Sequence, residues 1–168
     1  MSNQSLTNYK GKTQTISCIG CDREQGKISS NDTFLKTKYF DAHQDYGTPI
    51  PGFVIVTSRR HIASIDEFTP EEKIDFIDTL TNIRKALRQI FKINTVYFYQ
   101  GEDAPHFHIW IFPRYNWMTE KFGKYIESVR PIMNYAKDNL KTPDNLQEID
   151  QVINKLKEFF SKKSSVKL

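Results

Sequence analysis

Apolar residues recur along this chain with two periods, and the switches between them predict its elements. FLKTKYF at residues 34–40 alternates residue by residue, as a half-buried strand does. GFVIVTS at residues 52–58 is a short run rich in Val and Ile, bounded by Pro49, Pro51 and the pair Arg59-Arg60, and reads as a buried strand. The period then changes to that of a helix. Thr69, Pro70 and Glu72 form an N-cap with a capping box, and Leu80, Ile83, Leu87, Ile90 and Phe91 continue at helical spacing. TVYFYQ from Thr95 and HFHIWIF ending at Phe112 return to strand character, with the tight loop of residues 101–105 between them, so a hairpin is predicted. From about Thr119 the pattern is helical again, with an interruption at Pro131. Thr142 and Pro143 open a last helix with an apolar stripe of Ile149, Val152, Ile153, Leu156 and Phe159, suited to the core or to a partner chain.

These elements predict an α+β fold: a mainly antiparallel sheet with a packed helix over residues 15–118, and a C-terminal helical extension over residues 119–168. Residues 1–14 carry almost no apolar periodicity and read as a mobile arm.

Composition narrows the function classes. At 168 residues, 38% hydrophobic and 26% charged, the chain suits one globular core rather than disorder or a membrane protein. No apolar run approaches the roughly 20 residues of a membrane span, and the N-terminus shows no signal-peptide stretch, so a cytoplasmic location is expected. The net charge of +4 is modest, and the basic run at residues 157–167 suits a solvated tail, which makes nucleic acid an improbable partner and leaves small anions open. Cys18 and Cys21, the only cysteines, are spaced C-x-x-C, a pattern that in a reducing compartment points to metal or redox chemistry.

The stretch PHFHIWIFPRY raises the sharpest question. In an extended strand His106, His108, Trp110 and Phe112 share one face while Phe107, Ile109 and Ile111 share the other. The second face is core. The first is either a binding face or a solvated one with incidental histidines, and the spacing alone leaves both open.

The string from His106 to Tyr115 resembles the signature of the histidine triad (HIT) hydrolases and transferases, in which three histidines alternate with apolar residues and often lead into Pro-Arg. Cys18-Ile-Gly-Cys21 with Gly26-Lys27-Ile28 is similar to the family's N-terminal segment. Asp45, Gly52 and Arg60-His61-Ile62 resemble its strand, loop and basic turn. The resemblance covers roughly residues 18–115.

It implies that His108 attacks the α-phosphorus of a nucleotide, forming a nucleotidyl-histidine that water or a second substrate cleaves. The expected substrate is a dinucleoside polyphosphate or a nucleoside phosphoramidate. Asp45 matches a position that accepts hydrogen bonds from ribose hydroxyls. Phe53 takes a position that is often histidine, and Arg114 follows the strand within reach of phosphate, so both are nucleotide-binding candidates. Cys18, Cys21, His61 and His106 make a Cys₂His₂ set suited to one structural zinc. His43 matches no family role and reads as an exposed loop residue. The resemblance also implies a homodimer whose sheets join, with the last helix adding surface. Two departures stand out. Trp110 replaces the third histidine and can donate a hydrogen bond but deliver no proton, and Gly101-Glu102-Asp103-Ala104-Pro105 is shorter than the family's Gly-rich loop. Both favour a rival reading, a nucleotide-binding or scaffolding module with little or no turnover. A C-x-x-C redox protein is a poor third, because no βαβ pattern surrounds the cysteines.

Overall fold

The computed structural model describes residues 4–164; the ends of the N-terminal arm and of the basic tail lie outside the described residues. In chain order the elements are β1 (Gln4–Thr7), β2 (Thr13–Ile16), α1 (Ile19–Glu24), β3 (Thr33–Lys36), β4 (Phe40–Gln44), β5 (Val54–Ser58), α2 (Pro70–Phe91), β6 (Thr95–Tyr99), β7 (His108–Arg114), α3 (Asn116–Phe122), α4 (Val129–Asn139) and α5 (Pro143–Ser164). Five strands form one antiparallel sheet in the order β3-β4-β5-β7-β6, so the α+β architecture expected from the pattern is the one observed. Thr69 caps α2 through its hydroxyl while the Glu72 side chain returns to the Thr69 N–H, completing the capping box.

Both faces of the sheet are covered. On one, Val54 and Val56 of β5 and Phe107, Ile109 and Ile111 beside or on β7 pack with Ile83 and Leu87 of α2 and Leu156 of α5. On the other, Phe53, Ile55 and Phe112 pack with Met118 of α3 and Ile132, Met133 and Ala136 of α4. Each fully buried Phe or Ile contributes about 1.5–3 kcal/mol relative to exposure, so either cluster suffices to fix the register of β5 and β7. The α3–α4 pair covers part of its face and leaves the ends of β4 and β7 to the site.

Four expectations are corrected. FLKTKYF is not one strand: the chain turns at residues 37–39, where Thr37 N donates to Phe40 O and the Thr37 hydroxyl to Asp75 of α2 at 2.6 Å. Phe34 and Phe40 both face the core from the two arms of this turn, so the alternation persists through it. The segment expected as a mobile arm over residues 1–14 is ordered where it is described: residues 4–16 form a β1–β2 hairpin. Tyr9 at its tip is 5% exposed and packs on Ile149 and Ile153 of α5; its N–H donates to Tyr46 O, and the Tyr46 hydroxyl donates to Gln14. One buried ring leaves no periodicity in the sequence. The same contacts, together with Val152, Leu156 and Phe160 in the main core, bury the α5 stripe inside its own chain, so it is not surface for a second copy. Pro131 lies in the first turn of α4, where its missing N–H costs little; the break before α4 is Gly123, at φ +81°.

Candidate functional site

The first half of the site is a sulfur and nitrogen cluster. Cys18 occupies the N-cap position of α1 and Cys21 lies in its first turn, where the Asp22 carboxylate accepts the N–H groups of Ser17 and Cys18 and ties the helix start in place. Those backbone bonds hold the Asp22 carboxyl below its ordinary value. His61 comes from the turn after β5, which the Arg60–Glu72 ion pair clamps to the start of α2, and His106 precedes β7. The four S···N distances are 3.1, 3.3, 3.6 and 3.7 Å, and all four ligand atoms lie within 4.8 Å of one another. A tetrahedral zinc with bonds of about 2.0–2.3 Å sets its ligands about 3.3–3.8 Å apart, so the group fits that ion. The ring of His106 donates from Nε2 to Ser58 O at 2.6 Å, which turns Nδ1 toward the cluster. Burial lowers the His106 pKa and keeps the ring neutral, as a ligand must be. Gly20 is required here: a Cβ at that position would lie 2.6 Å from the His106 ring. Burial first, then the Cys18 side chain, push the Cys21 thiol up to about 11, the opposite of the depressed thiol of a redox C-x-x-C pair.

The second half is a cavity of about 310 Å³ beside this cluster. His108 and Trp110 on β7, Thr57 on β5, and His43 and Asp45 at the end of β4 line it. The N-terminal hairpin and the residue that follows it contribute Gln4, Ile16 and Ser17 to the wall. His108 pairs with Thr57 across the strands, and its Nδ1 donates to the carbonyl of His106 at 3.1 Å, leaving Nε2 for the cavity. A cluster residue thus orients the ring next to it. Asp45 Oδ1 accepts from the N–H groups of Gly47 and Thr48 at 3.1 and 2.6 Å, and buried Gln44 braces the loop through Ile50 O and Gly52 N. Gly52 has φ +71°, which explains glycine at that place. Desolvation raises the Asp45 carboxyl against those bonds. The loop at residues 101–105 presents Ala104 and Pro105 to the cavity, while the Glu102 carboxylate accepts from the Ser64 hydroxyl at 2.7 Å.

Three residues lie elsewhere than expected. Phe53 is fully buried in the second core, edge-on to Trp110 at 5.6 Å and to Phe112 at 5.0 Å, and supports the indole without surface to offer a ligand. Arg114 is 7% exposed; its guanidinium donates to Ser128 and to Gly123 O and lies over Tyr97, clamping the α3–α4 connection instead of meeting phosphate. His43 is not an exposed loop residue. It is buried on β4, donates from Nδ1 to Gln44 O, and has the Thr57 hydroxyl 3.4 Å from Nε2. Its phase with Asp41 and Asp45 at every second residue was the available signal.

Burial, with Arg23 adding to it, holds His43 down at about 3. An unfolded histidine titrates near 6.5, so between those values the unfolded chain binds a proton that the folded chain refuses, and stability is lost as the pH falls. Lowering the pH from 7 to 5 therefore costs about 2 kcal/mol through this group. Urea unfolding at both pH values should show that loss in the parent and a loss smaller by about that amount in His43→Gln; equal losses would remove His43 as the cause.

Comparison with known proteins agrees with this geometry. The model of the HIT domain matches residues 27–117. A bis(5'-nucleosyl)-tetraphosphatase (asymmetrical) of Schizosaccharomyces pombe is 26% identical over 90 residues, 50% of each chain, so this chain spans about half the length of the curated relative it matches. A HIT family member from Bacillus subtilis is similar in structure, with a TM-score of 0.56 and 25% identity, over 83% of this chain and 96% of that one. A zinc-bound histidine triad family protein from Mycobacterium smegmatis shares the fold, with a TM-score of 0.62 and 16% identity over 90% and 98% of the two chains. The match extends over just over half the chain and takes in the strands that carry Asp45 and His108: the protein belongs to the HIT family.

Proposed function

We propose that the protein takes the nucleoside monophosphate unit from a larger nucleotide and passes it to water or to a second substrate, with His108 as the nucleophile. The observation that carries this reading is the His108 ring, whose Nδ1–H is committed to the His106 carbonyl while Nε2 is left for the cavity that Asp45 also lines. Nε2 attacks the α-phosphorus, and the bond to the leaving oxygen breaks with its electron pair on that oxygen. The His106 carbonyl then holds the ring proton as the nucleotidyl-imidazole gains positive charge. Water attacks phosphorus next, the P–N bond returns its electron pair to Nε2, and the water's proton passes to solvent. Asp45 accepts hydrogen bonds from ribose hydroxyls through Oδ2, since Oδ1 is held by Gly47 and Thr48. Trp110 steadies a phosphate oxygen through its indole N–H.

Zinc on Cys18, Cys21, His61 and His106 supplies structure, tying α1 to the turn after β5 and to the start of β7. The free thiols this requires suit a cytoplasmic location, and no helix among the described residues is long and apolar enough to cross a membrane. A homodimer fits the surface: β6 ends the sheet, with exposed Phe98 on it and exposed Ile74 and Ile77 on α2. Light scattering should give twice the 19.7 kDa of one chain at micromolar concentration, and a monomer would refute the pairing.

Trp110 favours one rival, a nucleotide-binding module with little turnover. Incubation with diadenosine polyphosphates, adenosine phosphoramidate and nucleotide sugars separates the two. Release of AMP or UMP supports the enzyme, and binding without release supports the module.

A further inference from the structure

Trp110 does not stand alone in the site. Tyr99 of β6 pairs with it across the strands, ring centroids 5.2 Å apart, and Tyr99 is 42% exposed. The guanidinium of Arg130, in the first turn of α4, lies over the indole at 5.3 Å. Arg130 is exposed, and no carboxylate among the described residues pairs with it. Arg23, the cation that lines the cavity, is by contrast committed to Asp32 at 2.8 and 3.3 Å.

We propose that Arg130, Trp110 and Tyr99 form the subsite for the leaving group, and that this group is a nucleoside polyphosphate rather than an amine. The inference rests on the nucleotidyl-transfer reading above and names the substrate class for it. With the nucleoside anchored at Asp45 on the β4 side and phosphorus at His108, the remainder of a long substrate extends across the sheet toward β6. Three chemistries meet it there. A guanidinium over a ring keeps its edge N–H groups free for a phosphate. The exposed Tyr99 ring offers a stacking face to a second nucleobase. The indole N–H donates without giving up its proton.

The missing proton decides between substrates. When Nε2 of His108 bonds to the α-phosphorus, the P–O bond to a polyphosphate breaks with both electrons on oxygen, and the product leaves as an anion one charge more negative. Arg130 neutralises that charge, so no acid is needed. An amine leaving through P–N cleavage must take up a proton at the departing nitrogen, and neither Trp110 nor Arg130, the two groups set against the phosphates, supplies one, while Tyr99 is set farther out, against the second nucleobase.

The test compares kcat/KM for diadenosine tetraphosphate and adenosine phosphoramidate in the parent, Arg130→Gln and Arg130→Lys. The parent should prefer the tetraphosphate. The preference should fall about 10–100-fold in Arg130→Gln, the loss expected for one charged hydrogen-bonding partner, and recover in part in Arg130→Lys. Binding of inorganic tripolyphosphate, followed by calorimetry, should weaken in the same order. A preference for the phosphoramidate in the parent, or a ratio and tripolyphosphate affinity unchanged in Arg130→Gln, overturns the subsite while the nucleotidyl-enzyme still forms. If the parent forms no nucleotidyl-enzyme with either substrate, the underlying reading fails and the subsite with it.

Discussion

His108→Ala is expected to stay folded and metal-loaded while nucleotidyl transfer falls by on the order of 10³-fold or more, because the variant keeps the cavity and loses the attacking nitrogen. The side chain is half-buried and contributes one hydrogen bond, to the His106 carbonyl, so its removal costs the fold little. The backbone carbonyl stays, and Nδ1 of His106 remains aimed at the thiols because its other nitrogen is held by Ser58 O. The binding affinity for a nonreactive nucleotide should change far less than kcat. Circular dichroism, metal content and a single-turnover assay on the same preparation separate these quantities.

Cys18→Ser should fail in the opposite order. The hydroxyl is a poor ligand for a borderline-soft divalent ion, and the three remaining ligands come from the α1 start, the turn after β5 and the approach to β7, whose other links are the Arg59–Glu24 ion pair and the hydrogen bonds of Phe107 and His106 to Ile62 and Ser58. Loss of zinc should lower stability by on the order of 3–5 kcal/mol. That is a fraction of the roughly 10–16 kcal/mol zinc gives peptides that fold only around it, because here two apolar cores also hold the fold. Elemental analysis of protein purified without chelator should find about one zinc per chain in the parent and much less in the variant. Chelation of the parent should reproduce the shift in its unfolding midpoint. Activity per folded molecule should fall less than stability, with a residual loss because His106 also orients His108. Parent protein that folds normally with less than a tenth of a zinc per chain would refute the metal site.

The strongest local signals in the sequence were those in which one residue type has one physical use. Thr69, Pro70 and Glu72 announce a helix start and the structure uses all three that way. HFHIWIF assigns its two faces by alternation alone, and Phe107, Ile109 and Ile111 lie in the core while His108 and Trp110 line the cavity. The errors come from long-range packing. The β1–β2 hairpin is held by Tyr9, Tyr46 and α5, partners far apart in sequence, so its own residues carry no pattern. Phe53 and Arg114 stand near the right positions, and only the placement of α3 and α4 reveals that one is sealed by a core and the other spent on the Gly123 and Ser128 backbone and side-chain oxygens. Arg130 was invisible for the same reason: its contact with Trp110 joins two elements the sequence does not connect.

The central claim is that His108 carries the nucleotidyl group, and trapping that group tests it most directly. Protein mixed with a diadenosine polyphosphate and quenched in base within one turnover should yield a single adenylylated peptide, modified at His108 and labile in acid, as a phosphorus–nitrogen bond to imidazole is. His108→Ala under the same quench should yield none. AMP released at the parental rate by His108→Ala, or an adduct mapped to any other residue, would contradict the mechanism.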